Sequence, residues 1–145
     1  MQRPRAVKFV IGLGILLVVS VVYFWATWFL APEMIQARSP DAHDYQIYVS
    51  FEQAFILADC WLVISLLIGA VGLWRMRDWG LLFGLLSLGG VIFLVLMDLL
   101  YDLQHRMFVP LTSEAANELI FVVVTLIFTP LSVYLLWRHR RIFIK

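Results

Sequence analysis

Four long apolar stretches dominate this chain, and the first is the cleanest: Phe9 to Ala31 runs for 23 residues without a charge. A helix needs about 20 such residues to cross the hydrocarbon core of a bilayer. Inside lipid only a helix satisfies its backbone groups within one segment. Three further runs follow. The expected spans cover about 9–31, 52–74, 79–100 and 117–137, and 1–145 reads as one membrane domain with no room for a soluble one. Arg3, Arg5 and Lys8 precede the first run, as in a signal peptide. The run is longer than a signal core, however, and Trp25, Trp28 and Phe29 crowd its end, so an uncleaved span is expected.

Composition points the same way. The chain is 63% hydrophobic and 14% charged, against about 45–50% and roughly 25% in soluble domains. Disorder is excluded, and a soluble enzyme or a nucleic-acid binder is disfavoured. Strict period-two alternation is lacking, which removes a β-barrel. The fold class is therefore all-α, an integral membrane bundle of four antiparallel helices. The single cysteine, Cys60, forms no intrachain disulfide and reads as a small buried hydrophobe. His43, His105 and His139 lie outside the long apolar runs, so no haem and no other cofactor is expected.

Local signals set the connections. Pro32 to Phe51 reads as a polar connection. Ser50, with Gln53 three residues later, reads as a cap for the second span. Arg75-Met76-Arg77-Asp78 is so short that the second and third spans must be neighbours in a helical hairpin. Thr112 or Ser113 is placed to cap the fourth span, and Pro130 is a candidate kink.

Charge sets the threading. Four spans put Arg3, Arg5, Lys8, Arg75, Arg77, Arg138, Arg140, Arg141 and Lys145 on one side, nine of the 11 basic residues, with Arg38 and Arg106 opposite. Basic residues near short loops stay cytoplasmic, so both termini are expected there. The expected location is a cell membrane, the bacterial inner membrane. Of the acids only Asp78 falls on the cytoplasmic side, leaving the outer mouth strongly acidic. Trp74, Trp79, Tyr134 and Trp137 read as cytoplasmic interface anchors, and Trp25, Trp28, Trp61 and Tyr101 as outer ones.

Helical spacing then gathers polar residues on particular faces. At 100° per residue, Gly80, Gly84, Ser87, Val91, Asp98, Asp102 and His105 fall within about 40° of one line. Small residues at such spacing let helices approach closely. Glu114, Glu118, Thr125, Thr129 and Ser132 share a second stripe, which should face the interior. Glu52 and Asp59, seven apart, nearly superimpose. Asp59 lies 15 residues before Trp74, about 22 Å along a helix and so inside the outer leaflet. Asp59, Asp98, Asp102 and Glu118 are the candidate ligand or proton site. Asp98, Asp102, His105 and Glu114 are the candidate metal ligands, since carboxylates and imidazole suit hard or borderline cations. Against this stands a plain polar cap near water, in which Asp102 and Arg106, four apart, simply pair.

The segment Trp79-Gly80-Leu81-Leu82-Phe83-Gly84 after a basic turn, with Asp98-Leu99-Leu100-Tyr101-Asp102-Leu103-Gln104-His105, resembles small uncharacterised bacterial membrane proteins with four spans. The resemblance covers about a third of the chain. It implies a four-helix bundle and carries no activity. Small multidrug transporters are similar only in span count, because their acid lies in the first span and here that span has none.

Two functional classes remain open on sequence. One is a structural or accessory membrane protein, with the lipid bilayer as partner and a role as homo-oligomer or complex subunit. The other is a transporter or cation-binding protein using the outer acidic site. A lipid-acting enzyme is a third class, but no nucleophile–base pair, phosphate loop or zinc-protease pattern supports it.

Overall fold

The computed structural model describes residues 4–33 and 42–144, with the side chains of 42–44 and 114 excepted, and these residues are predominantly helical. Arg3, Arg38, Asp41 and Lys145 of the charge count, and the Glu114 side chain of the candidate metal set, lie outside the described residues. Among the described residues five α-helices follow one another: α1 (Arg5–Leu30), α2 (Ala42–Gln53), α3 (Ile56–Trp74), α4 (Asp78–Gln104) and α5 (Ser113–Arg138). A 3₁₀ turn, Arg140–Ile142, follows α5. All but α2 are long and apolar enough to cross a membrane.

The connection expected over Pro32–Phe51 contains a helix, α2, and the expected second span is divided. Between α2 and α3 the backbone bonds shorten to three-residue spacing, Ala54 N to Phe51 O and Phe55 N to Glu52 O at 3.1 and 2.9 Å. Glu52 and Gln53 thus belong to α2, not to the membrane helix. Ser50 is not a cap, because it sits inside α2 and its hydroxyl donates to Gln46 O at 2.8 Å. At α5 the expectation holds: the Thr112 hydroxyl accepts from Ala115 N at 3.2 Å. Helix α5 continues through Pro130.

The most extensive helix contact joins α3 to α4. With lipid outside, association cannot rely on the hydrophobic effect and depends on close packing. Glycine supplies it from both helices. A Cβ on Gly80 would fall inside the Gly72 backbone, and one on Gly69 would lie 3.0 Å from the Gly84 nitrogen. The hairpin turn closes with Met76 at φ 53° and a bond from Arg77 N to Gly72 O at 2.9 Å, a Schellman-type stop. Beside it, Val7, Val10, Leu73, Leu81, Leu88, Leu136 and Phe143 form one core cluster, so both chain ends and the hairpin turn pack together.

Two residues sit differently from their sequence reading. Cys60 is exposed rather than buried. It lies on the outer face of α3 with Leu57, Trp61 and Ile64, where an apolar environment is supplied by lipid instead of protein. Tyr101 is buried, not an interface anchor, because α2 covers it: Phe51 stacks on its ring at 4.1 Å and Tyr48 lies at 6.2 Å.

Candidate functional site

Away from the glycine crossing, the helices surround a cavity of about 470 Å³. Its wall comes from the second half of α1, the junction of α2 with α3, the last turns of α4 and the first turns of α5. That volume lies within the range of about 300–1,000 Å³ common for small-molecule pockets. Much of the wall is apolar or aromatic, including Phe24, Phe51, Phe55, Leu62, Val91 and Phe121.

Five carboxylates enter this wall: Glu52 from α2, Asp59 from α3, Asp98 and Asp102 from α4, and Glu118 from α5. Among the described residues the wall holds no Lys, Arg or His. The four candidate ligand or proton residues, Asp59, Asp98, Asp102 and Glu118, are thus brought together around one space. Glu52 joins them despite the helix break, because α2 folds back over α4 through the Phe51–Tyr101 stack. Its carboxyl lies outside the spans, and burial pushes it up to about 8. Asp98, Glu118 and Asp59 push the same way, while a hydrogen bond from Tyr48 opposes them.

Asp59 has a partner that the sequence did not disclose. The Trp25 indole N–H donates to its Oδ2 at 2.9 Å, tying α1 to α3. Trp25 itself packs among Phe24, Trp28 and Phe29 at ring separations of 5.3–5.9 Å. Asp102 is buried, and Asp98 and Glu118 are half-buried. The regular helical spacing from Asp102 to Arg106 is interrupted. Helix α4 ends at Gln104, and Arg106 follows the break at φ 55°.

The metal candidates separate. Asp98 and Asp102 line the cavity, but His105 does not. Its ring folds back along α4, stacked on Tyr101 at 4.1 Å, with Nδ1 2.9 Å from the Tyr101 carbonyl. Among the described residues no three His, Cys, Asp or Glu side chains form a set suited to a metal ion.

The polar stripes below the cavity are satisfied largely within their own helices. Ser65, Ser87 and Ser132 are buried and donate to Leu62 O, Gly84 O and Phe128 O. Thr125 and Thr129 are also buried, so the α5 stripe faces inward. Sequence reading missed Gly69 and Gly72. The spacing Ser65, Gly69, Gly72 is the signal that marks them, a small-residue stripe matching the one on α4.

No family model, curated protein or solved structure matches the chain.

Proposed function

We propose that this chain is a multi-pass membrane protein that binds a small cation in the cavity at one end of its bundle. One observation carries the reading: four helices each deliver carboxylates to a single cavity whose described wall has no base. The acids carried by the spans, Asp59, Asp98, Asp102 and Glu118, are costly in a bilayer, and intramembrane acids mark ligand or proton paths. A polar cap near water would not need to surround a drug-sized space with aromatic side chains. Of the two classes open on sequence, the cavity therefore favours ligand binding over a purely structural role.

Carbodiimide labelling tests it. In lipid nanodiscs, Glu118 and Asp98 should react in the empty protein. At least one of tetraphenylphosphonium, tetramethylammonium and calcium should slow that reaction several-fold. Unchanged labelling with all three would sink the cation reading.

We also propose the threading: antiparallel spans with both termini cytoplasmic, in the bacterial inner membrane. The basic asymmetry supports it. So does the packing of Val7, Met76, Leu136 and Phe143 at one end, which puts the basic segments beside one another. The cavity then opens toward the outer leaflet. A reporter active only in the cytoplasm, fused after Lys145, should give full signal; a silent reporter on inserted protein reverses the threading.

A further inference from the structure

Resting on the reading of the cavity as a cation site, we infer that its ligand is an amphipathic organic cation that enters sideways from the bilayer, between α1 and α5.

The walls are unequal. On the α3 and α4 side the cavity is backed by Leu62, Val91 and Val95, each under 7% exposed. On the other side Leu17 of α1 and Val122 of α5 are equally buried, at 5% and 3%, but the lining residues Tyr23 of α1 and Phe121 of α5 are 67% and 45% exposed. Helix α1 is also the least buried of the four spans. Toward the termini the gap between these helices closes, where Phe9 meets Phe128 at 6.0 Å and Val10 and Leu136 share a core cluster. At the opposite end α2 contributes Phe51 and Glu52 to the lining, with Tyr48 and Phe51 packed against Tyr101. The open side is therefore the flank, where the exposed lining residues Tyr23 of α1 and Phe121 of α5 meet the apolar exterior. In a membrane that flank faces acyl chains, so the entering molecule must already partition into lipid.

The lining sets its chemistry. Aromatic faces attract cations and bury hydrocarbon. The carboxylates take up positive charge and repel phosphate and carboxylate, which disfavours a zwitterionic lipid headgroup. The lack of a three-residue metal set among the described residues disfavours a bare divalent ion. A hydrated inorganic cation would gain nothing from Phe24, Phe51, Phe55 and Phe121. A cationic centre carrying a bulky apolar body uses every part of the wall.

The test uses the full chain in nanodiscs. Tetraphenylphosphonium should bind at least tenfold more tightly than tetramethylammonium or calcium. The anion tetraphenylborate should not bind specifically. The D98N/E118Q double variant should lose tenfold or more in phosphonium affinity, and its unchanged binding of tetraphenylborate would control for partition. If tetramethylammonium or calcium binds through these carboxylates as well as the phosphonium does, the cation site stands and the proposed ligand class falls. If none of them binds, both readings fall together. The route is read from kinetics. Methyl- and decyl-triphenylphosphonium share a headgroup, and entry from lipid makes the decyl compound associate several-fold faster at equal aqueous concentration. Equal association rates would overturn the lateral route.

Discussion

At the hairpin end of α3 and α4, Gly72 and Gly80 bring two backbones into contact; at the other end of the bundle the helices stand around a cavity of about 470 Å³. The first region is held by close approach without polar side chains. The second is held by rings and single hydrogen bonds: Phe51 on Tyr101, Trp28 near Tyr48, and Trp25 donating to Asp59. A bilayer offers no hydrophobic reward for bringing helices together, so dense packing must secure the fold where it occurs. Concentrating that packing at one end frees the other to remain hollow and to carry acids. The contrast explains how a chain of 145 residues supports buried carboxylates: the stable end holds the helices, and the acidic end need only be tolerated.

The largest effect should come from breaking the glycine crossing. In Gly80→Ala the new methyl meets the Gly72 backbone and the Trp79 ring. Backbone cannot rotate away, so a cost of at least the ~1–3 kcal/mol of ordinary overpacking is expected. Gly89→Ala is the internal control. It lies on the same helix, has open space around its Cβ, and should be neutral or gain up to about 1 kcal/mol from helix propensity. Thermal unfolding in nanodiscs measures both. Equal effects would mean the crossing is not the stable region. Gly84→Ala is a gentler probe, since its Cβ meets only the side-chain ends of Leu136 and Leu73, at 3.1 and 3.3 Å.

Much of the well-packed half was legible in the sequence, and less of the hollow half. Length and hydropathy place spans well because the bilayer imposes them. Gly80, Gly84 and Ser87 were visible as a stripe because one regular helix carries them all. The failures share a cause: each depends on where a helix stops or on a contact between distant segments. Helix α2 was hidden because its polar composition resembles a connection, and the break at Ala54–Phe55 carries no Gly or Pro. His105 was aligned with Asp98 and Asp102 by extrapolating α4 past its end at Gln104. The convergence of Asp59, Asp98, Asp102 and Glu118 was foreseeable from depth and face. The Trp25 bond to Asp59 was not, because residues 34 apart give no local signal.

That bond supplies the next test of the comparison. Trp25→Phe keeps an aromatic ring among Phe24, Trp28 and Phe29 but removes the N–H that Asp59 accepts. Hydrogen bonds between membrane helices contribute about 1 kcal/mol or less, so a loss of that order is expected, below the Gly80 effect. Asp59→Asn should cost less, because the amide oxygen can accept the same bond while the charge disappears. In the background of Asp59→Ala, Trp25→Phe should have almost no further effect. Additive losses would show that Trp25 acts through ring packing alone.

The effect most specific to the acidic end is the dependence of stability on Glu52. Tyr48 donates to it from α2, Asp59 faces it from α3, Asp98 and Asp102 from α4, and Glu118 from α5. Its carboxyl is raised to about 8, whereas the ordinary value is 4.5. Between those two values the folded protein holds a proton that the unfolded chain releases. Stability from this group is therefore complete below the ordinary value and is lost as pH rises through about 8. The midpoint of thermal unfolding in nanodiscs should fall from pH 5 to pH 8.5, and Glu52→Gln should flatten part of that slope. Bound cation acts in the opposite sense. It favours the ionised carboxyl, so phosphonium affinity should rise over the same pH interval, and the Glu52→Gln variant should lose that rise. If the variant keeps the full pH dependence of both stability and affinity, Glu52 is a solvated surface acid and the cavity ends below α2.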